Sequence, residues 1–403
     1  MYSFIIFRKI YLFCPIYDIL PTGEIMKKIL IFYASFGGGH LSAARNIKEY
    51  IDTNYGSETE TQFVDGMEYV NKALNTVTKK AYSEMAKSAP WAWKQLYNKT
   101  EEGPLSKITH TANKVMSIKL NKLVQEFKPD LIISTDPWSS QMCSIVKKQG
   151  KINCRLATVL TDYEPHAQWL ANHEQTDYFF VAHDGMKPLL LKYGAPESKI
   201  FVTGIPLSNR FLMNYDKEKV LSEFGLALNK TTILFFAGGE YGFGKDKTYN
   251  ILKSLISHFP DMQVIAIAGR NVKMKEQFEN LVSETRSYKT VKVLEYTNKV
   301  PELMSVSDLV ITKPGGLTTT ESIASGLPII VINPIPGQEE ANAQFVEDRN
   351  IGIWIREKDN VEERLRSILN SPEKIKEMKI NARIIAKKNS TKDICEILLN
   401  PPL

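Results

Sequence analysis

The stretch that decides the fold covers residues 308–342 and reads DLVITKPGGLTTTESIASGLPIIVINPIPGQEEAN. Its first apolar run ends at Thr312, and a Pro-Gly-Gly turn leads into a segment of helical composition. A second apolar run, PIIVI at 328–332, follows and ends before another polar cluster. Runs that are apolar throughout are typical of parallel strands covered on both faces. The stretch therefore predicts a strand–helix–strand unit whose polar residues gather at the carboxyl ends of two adjacent strands.

The same rhythm of strand, turn and helix runs through most of the chain. In the first half we predict strands at 28–35, 61–65, 130–135, 155–161, 178–182 and 200–203. In the second half we predict strands at 232–237, 263–268, 291–295, 308–312, 328–332 and 351–355. A chain of 403 residues is long enough for two cores. The pattern predicts an α/β protein with two doubly wound parallel sheets.

The domain boundary is predicted near Gly204-Ile205-Pro206, where a strand ends before a new helix. This gives a first domain at 26–205 with a helical insertion at 67–128, and a second domain at 206–375. Residues 376–403 are expected to form a helical segment that packs back on the first domain. Residues 1–25 are apolar but interrupted by charges and proline, so they fall short of the roughly 20 residues of a spanning helix. We expect an extension before a native start at Met26, with an interfacial anchor as the alternative.

Composition and charge restrict the class of protein. The chain is 43% hydrophobic and 24% charged, which is typical of a soluble globular protein. Its four cysteines form no C-x-x-C pair, which argues against a zinc site or disulfide framework and fits a reducing cytoplasm. Residues 68–128 hold eleven lysines against five glutamates, a net +6 equal to that of the whole chain. This cluster indicates an anionic partner surface, membrane or nucleic acid, with a solvated helical face as the alternative.

The first motif with chemical meaning is SFGGGH at 35–40, between the first strand and a helix. Glycines let the backbone turn tightly, and they let a substrate approach the amino end of a helix, which favours anions. His40 directly follows the glycines and is expected to face the crevice above the strand ends. A purely structural turn is the alternative reading.

Three further polar clusters follow predicted strands. TDYEPHAQW at 161–169 is expected to face the same crevice, or else to be a polar loop around a packed tryptophan. AGGEYGFGK at 237–245 is a glycine-rich turn that can present N–H groups to a diphosphate, with a flexible loop as the alternative. In the stretch quoted first, the carboxylate of Glu321 can accept from both hydroxyls of a ribose. Gln338 and Glu339 can bind the hydroxyls of a sugar.

Taken together, these motifs resemble those of the family 28 glycosyltransferases, in particular the monogalactosyl- and monoglucosyldiacylglycerol synthase group. The resemblance rests on the Gly-Gly-Gly-His loop, the Pro-Gly-Gly…Glu…Gly-Leu-Pro sequence and Pro-Gly-Gln-Glu, in order, over about residues 27–375. Among lipid synthases the chain is most similar to the bacterial processive diacylglycerol β-glucosyltransferases. The Pro-Gly-Gly…Glu part alone also suits the peptidoglycan lipid-linked N-acetylglucosaminyl transferase.

The resemblance implies a GT-B fold, with two Rossmann-like domains facing across a cleft, and an inverting mechanism with a UDP-sugar donor in the second domain. The family's general base falls on His40, its ribose-binding acid on Glu321, and its hexose contacts on Gln338 and Glu339. The full set of predicted donor-binding residues is Gly238, Gly239, Gly315, Gly316, Thr318, Glu321, Gln338, Glu339 and Asn342. The predicted acceptor-binding residues are Gly38, Gly39, Asp162, His166 and Trp169. Plant members carry His-Pro-Thr-Trp where this chain has His-Ala-Gln-Trp.

The expected function is transfer of a hexose, glucose in preference to galactose, from a UDP-sugar to 1,2-diacylglycerol, with further sugars added processively. We expect no cofactor and no metal, because the sequence contains no D-x-D motif. We also expect an anionic membrane surface and no nucleic acid as partner, and a peripheral position on the cytoplasmic face of the cell membrane. The alternatives are a GT-B enzyme that uses UDP-N-acetylglucosamine, either a lipid-linked transferase or a 2-epimerase, and a non-catalytic UDP-sugar sensor.

Overall fold

The computed structural model describes residues 26–35, 38–72, 76, 91–92, 94–95, 104–171, 173–238 and 244–400. For residues 104–115, 245 and 338 it describes the backbone only. The predicted extension at 1–25 and most of the segment 73–103 lie outside the described residues, so the expectations for them stay predictions.

Within the described residues, six parallel strands form the first sheet, in the order β2-β1-β3-β4-β5-β6. Strands β1 to β6 span Lys27–Tyr33, Thr59–Asp65, Leu131–Ser134, Arg155–Val159, Tyr178–Val181 and Ile200–Val202. Helices α1 to α4 span Gly39–Tyr55, Pro104–Phe127, Pro137–Lys148 and Lys187–Lys192.

The second sheet has six parallel strands among the described residues, in the order β12-β11-β10-β7-β8-β9. Strands β7 to β12 span Thr232–Phe236, Gln263–Ile267, Val291–Leu294, Leu309–Thr312, Ile329–Val331 and Gly352–Trp354. Helices α5 to α13 span Lys217–Glu223, Lys245–His258, Val272–Glu284, Val300–Val306, Gly316–Ala324, Gln338–Asp348, Val361–Leu369, Pro372–Ile385 and Ser390–Leu399. Each predicted strand is present, with bounds within two residues of those predicted, so the prediction of two parallel α/β sheets is confirmed.

The continuous apolar runs are explained by burial on both faces of each sheet. In β1, Ile29 and Ile31 lie in one hydrophobic core, and Leu30 and Phe32 lie in another on the opposite face. All four side chains are fully buried. Because neighbouring side chains of a strand point to opposite faces, a strand covered on both sides has no polar alternation.

The chain crosses between the two sheets twice. The first crossing follows β6, and the second brings α13 from the second domain back to α1. Ile394 and Leu398 of α13 share a core with Ile47 of α1. The two crossings are tied together, because Leu207 donates its N–H to the hydroxyl of Thr391 (2.8 Å), which donates in turn to the carbonyl of Leu207 (2.7 Å). Among the described residues, no helix has the length and apolar character needed to cross a bilayer.

Candidate active site

The two glycine-rich motifs meet between the domains. Helix α1 begins at Gly39 after β1, and helix α9 begins at Gly316 after β10. A Cβ built at Gly39 would lie 3.6 Å from a methyl carbon of Leu317 in α9. A Cβ built at Gly316 would lie only 1.9 Å from the carbonyl oxygen of Thr161, which follows β4. The first domain therefore touches the first turn of α9, and only glycine fits at position 316.

His40, the predicted general base, lies in the first turn of α1 and is 8% exposed. Its Nδ1 lies 2.7 Å from the carbonyl oxygen of Thr135 and 3.0 Å from the hydroxyl oxygen of Thr161. The hydroxyl of Thr135 donates to the backbone carbonyl of His40 at 2.8 Å. Trp169 lies edge-on to the imidazole, with 5.9 Å between ring centroids. Residues that follow β3 and β4 thus hold the ring of His40 in one orientation.

The hydrogen bonds of His40 determine which ring nitrogen can accept a proton. The carbonyl oxygen of Thr135 can only accept, so Nδ1 carries the hydrogen of that 2.7 Å bond. In the neutral imidazole the lone pair is then on Nε2. Nε2 has no hydrogen-bond partner among the described residues. The site therefore holds a histidine whose accepting nitrogen is available to a substrate hydroxyl.

Asp136 is the titratable group that acts on the pKa of His40, and burial raises the pKa of its own carboxyl. Burial lowers the pKa of His40, whereas the charge of Asp136 and the bond to Thr135 raise it. Asp136 is fully buried, and its Oδ1 accepts the N–H of Ser139 (2.9 Å) at the start of α3. Its Oδ2 has no hydrogen-bond partner in the described part of the chain. The net lowering of the pKa keeps His40 neutral near pH 7, which is the state a general base needs.

The loop after β4 carries three of the predicted acceptor-binding residues. Trp169 is 5% exposed and packs beside His40. His166 is 8% exposed, and its Nδ1 accepts the N–H of Gln168 (3.1 Å). The carboxylate of Asp162 accepts a hydrogen bond from Asn342 of the second domain (3.1 Å). The structure thus brings Trp169 and Asp162 to the place where the domains meet, and the acceptor contacts themselves stay predictions.

The glycines of the first motif differ in environment. Gly38 precedes α1 and is exposed, and its carbonyl accepts the N–H of Ser42 at 3.0 Å. Gly39 faces Leu317 across the domain contact. Of the two, Gly39 lies nearer to the second domain.

Glu321, the predicted ribose-binding residue, lies in α9. Burial raises the pKa of its carboxyl from the usual 4.5 to about 8. Within the described residues, the carboxylate has neither a hydrogen-bond nor an ion-pair partner. Partial burial without a donor disfavours the ionised form of this group, and the hydroxyls of a ribose would supply donors to it. Thr318, half-buried three residues earlier on the same helix, is also a predicted donor contact.

Glu339 is paired within the protein. It is 8% exposed, and its Oε1 lies 3.2 Å from the ammonium of Lys313. Its Oε2 accepts the N–H of Ile335 at 2.8 Å, which closes the turn before α10. A Cβ built on Gly315 would lie 3.7 Å from Oε1 of Glu339. The ion pair therefore lies directly beside the Pro-Gly-Gly turn.

Asn342 of α10 joins the two domains. Its side chain is fully buried, and its Nδ2 donates to Oδ1 of Asp162 (3.1 Å) and to the carbonyl of Pro314 (2.9 Å). Its Oδ1 accepts the N–H of Tyr163 at 2.9 Å. Both amide hydrogens are thus bonded to protein atoms, and the predicted contact with the donor stays a prediction.

The remaining predicted donor residues are at the edge of the described chain. Gly238 follows β7 with a φ of 97°, a conformation that favours glycine. Gly239 and the side chain of Gln338 lie outside the described residues, so their roles stay predictions.

Several residues of the site were not singled out from the sequence, namely Thr135, Asp136, Tyr163 and Lys313. A signal for the first two was present, because a polar pair follows β3 and an Asp-Pro step is typical of the first turn of a helix. Lys313 stands in the decisive stretch itself. Its pairing with Glu339 depends on tertiary structure.

Comparisons with known proteins find matches in both halves of the chain. Residues 40–207 match the family described as "Monogalactosyldiacylglycerol (MGDG) synthase". Residues 234–397 match the family described as "Glycosyltransferase family 28 C-terminal domain". A curated relative from Staphylococcus epidermidis, named "Processive diacylglycerol beta-glucosyltransferase", is 32% identical over 93% of each chain.

Solved structures share the fold. MurG of Acinetobacter baumannii superposes with a TM-score of 0.64 at 14% identity, over 93% of this chain and 99% of that one. The MnaA–UDP co-structure from S. aureus gives a TM-score of 0.64 at 15% identity, over 93% and 97%. At these identities the likeness concerns the fold alone, and the expected two-domain GT-B architecture is confirmed.

Proposed function

Because the chain belongs to the family of the processive diacylglycerol β-glucosyltransferases, we propose that it is an inverting glycosyltransferase that moves a hexose from a UDP-sugar to 1,2-diacylglycerol. The observation that carries the proposal is the contact between the two motifs. Gly316, which opens the donor-side helix, lies against Thr161, whose hydroxyl bonds to His40. The proposed base on one domain and the proposed donor turn on the other therefore lie at the same domain contact, which supports the proposal.

The reaction assigns a task to each side. Nε2 of His40 takes the proton of the acceptor hydroxyl as that oxygen attacks the anomeric carbon. The bond from the anomeric carbon to the diphosphate oxygen breaks, and UDP leaves with the electron pair. Attack from the opposite face inverts the configuration, so an α-linked donor gives a β-glycoside. In the proposed reaction, backbone N–H groups at the amino end of α9 stabilise the leaving diphosphate.

Glucose is the proposed hexose, since relatives are named for it, and addition of a second sugar to the first product is part of the proposal. Glucose and galactose differ at one hydroxyl. The residues predicted to contact it are Gln338 and Glu339, at the start of α10. No metal is part of the proposed reaction, so we expect turnover to be unchanged by a chelator.

A release assay tests the proposed function against the alternatives. The full chain is given UDP-glucose, UDP-galactose or UDP-N-acetylglucosamine, with and without diacylglycerol in mixed micelles, and free UDP and glycolipid masses are measured. We expect UDP release only with diacylglycerol, together with mono- and dihexosyl products. Release or epimerisation of UDP-N-acetylglucosamine without lipid would favour the epimerase, and binding without release would favour the sensor.

We also propose that the enzyme docks peripherally on the anionic cytoplasmic face of the membrane through the lysine-rich insertion. Trp91 in this insertion is 68% exposed, which suits a bilayer interface. Full-length protein should bind vesicles more strongly as anionic lipid increases and more weakly as salt increases. Trp91→Ala should weaken this binding, whereas Tyr288→Ala, which removes an exposed aromatic ring of the second domain, should not. Binding that ignores lipid charge and salt would contradict the proposal.

A further inference from the structure

One amide side chain makes a polar connection between the domains. Asn342 is fully buried and binds three groups on two sides of the cleft. On the donor side, its Nδ2 donates to the carbonyl of Pro314, in the Pro-Gly-Gly turn (2.9 Å). On the acceptor side, Nδ2 donates to Asp162 (3.1 Å), and Oδ1 accepts the N–H of Tyr163 (2.9 Å). An amide side chain can donate and accept at once, and this arrangement uses both of its functions.

The loop that Asn342 holds is the loop that touches the base. Thr161 immediately precedes Asp162, and its hydroxyl lies 3.0 Å from Nδ1 of His40. A displacement of this loop would therefore move a contact of the imidazole relative to the donor turn. Reactions of this kind are sensitive to such displacements, because a misplacement of about 1 Å can cost about a hundredfold in rate.

Two further contacts join the same acceptor-side loop to the second domain, one by close packing and one by a hydrogen bond. The carbonyl of Thr161 occupies the space where a side chain at Gly316 would begin. The hydroxyls of Tyr163 and Thr320 lie 3.0 Å apart, across the same boundary. The acceptor-side loop is thus fitted against α9 by shape and fastened to both α9 and α10 by hydrogen bonds.

We propose that Asn342 is a positioning residue, which fastens the loop Thr161–Tyr163 to the donor turn and thereby sets the position of His40 relative to the donor sugar. The proposal rests on the proposed transferase function for its kinetic consequence. It differs from a donor-binding role, because Asn342 then acts on the rate of transfer and not on the affinity for UDP.

The test compares Asn342→Ala and Asn342→Asp with Gln344→Ala, which removes an exposed amide on the same helix. We expect kcat to fall about 10- to 100-fold in both Asn342 variants. The Kd for UDP, measured by calorimetry, should stay within about threefold of the original. Gln344→Ala should match the unmodified protein in both quantities. A loss of UDP affinity as large as the loss of kcat would overturn the proposal in favour of direct donor binding.

Asn342→Asp adds a readout that a purely structural role would not change. The new carboxylate keeps the bond from Tyr163 N–H but faces Asp162 with like charge. Because a proton shared between the two carboxyls would restore the bridge, we expect the ratio of variant to unmodified kcat to rise as the pH falls from about 8 to about 6. A ratio that does not change with pH would contradict the proposal.

Small-angle scattering gives a measurement that does not depend on catalysis. With UDP bound, Asn342→Ala should have a larger radius of gyration than Gln344→Ala, since the domains lose their buried link. Tyr163→Phe removes only one hydroxyl and serves as a milder variant in case the Asn342 variants fold poorly. It should lower kcat at least about threefold without changing the Kd for UDP. If the unmodified protein transfers no sugar, the proposed function fails. The scattering comparison still tests whether Asn342 holds the two domains together. If it is active and the Asn342 variants equal Gln344→Ala in rate and in scattering, only the positioning role fails.

Discussion

The glycine-rich turns after β1 and β10 face each other, and they differ in how completely their key side chains are paired. His40, after the first turn, has its Nδ1 bonded to Thr135 and Thr161 and its ring packed against Trp169. Glu321, after the second turn, has a raised carboxyl pKa of about 8 and no bonding partner within the described residues. The proposed base is already oriented by the fold, whereas the proposed donor side keeps a carboxyl group with no hydrogen-bond partner among the described residues.

This difference implies that His40 and Glu321 affect different quantities, the rate of the chemical step and the affinity for the nucleotide. An oriented base needs no reorganisation when the acceptor arrives, which favours the rate of the chemical step. The carboxyl of Glu321 is partly buried and mostly protonated at pH 7, and donors from a ribose would favour its ionised form, which links its ionisation to binding. Changes near His40 should therefore affect mainly kcat, and changes near Glu321 should affect mainly the Kd for UDP.

The largest expected effect is that of His40→Ala. Turnover should fall by about two to four orders of magnitude, which is the usual contribution of a general base. The Kd for UDP should change little, because the imidazole has no predicted contact with the nucleotide. Initial rates of UDP release and calorimetry with UDP measure the two quantities.

A matched control for this variant is His258→Ala, which removes a partly exposed histidine on α6. It should leave turnover unchanged. Near-normal turnover in a folded His40→Ala protein would move the role of base to Asp162 or His166. Lost UDP binding with an intact fold would instead indicate that His40 binds phosphate.

The next largest effect is expected for Glu321→Ala on the donor side. Loss of a charged hydrogen bond to ribose costs about 1.5–3 kcal/mol, so UDP and UDP-sugar should both bind about 10- to 150-fold more weakly. Glu276→Ala, which removes an exposed glutamate on α7, serves as the control. Gln338→Ala provides the contrast. Loss of a side chain that contacts the hexose should weaken the binding of UDP-sugar more than the binding of UDP. Unchanged UDP affinity in Glu321→Ala would remove this residue from the ribose site.

The sequence predicts the two sheets well, and the reason is local. Runs such as KILIFYAS and TILFFA are apolar at every position because β1 and β7 are covered on both faces, so strand and burial follow from one pattern. The glycine turns and His40 could also be identified, because a strand followed by glycines and a helix places polar groups at one sheet edge.

The pairing within the site could not be predicted from the sequence. Thr135 orients His40 through its backbone carbonyl, which carries no side-chain signature. Asn342 and Asp162 are 180 positions apart, and their hydrogen bond exists only because two domains close on each other. Gly316 was assigned to donor binding on its motif, and its contact with the carbonyl of Thr161 depends on the same closure.

A smaller effect is expected for the pH dependence of UDP binding, which tests the donor side of the comparison between Glu321 and His40. In the free protein the carboxyl of Glu321 has a pKa of about 8 and is mostly protonated at pH 7. Ribose hydroxyls donate to the ionised form, so binding lowers this pKa and releases a proton. UDP affinity should therefore rise with pH, by about tenfold between pH 7 and pH 9 if only the ionised form binds.

Glu321→Gln is the control for this pH dependence. The ratio of unmodified to variant affinity removes any titration of UDP itself, and it should rise through pH 8 and level off above it. A ratio that stays flat from pH 7 to pH 9 would mean that the ionisation of Glu321 is not linked to nucleotide binding.

The smallest effect is expected on the base side, from Asp136→Asn. The charge of Asp136 raises the pKa of His40 against the effect of burial, so its removal should lower that pKa further. The limb of kcat/KM at low pH, where protonated His40 cannot accept a proton, should then move to lower pH. Asparagine can still accept the N–H of Ser139, so the start of α3 is kept. Asp216→Asn, a change at the start of α5, should leave the profile in place. An unshifted limb with reduced stability would show that Asp136 only caps its helix, and the base side would then depend on hydrogen bonds alone.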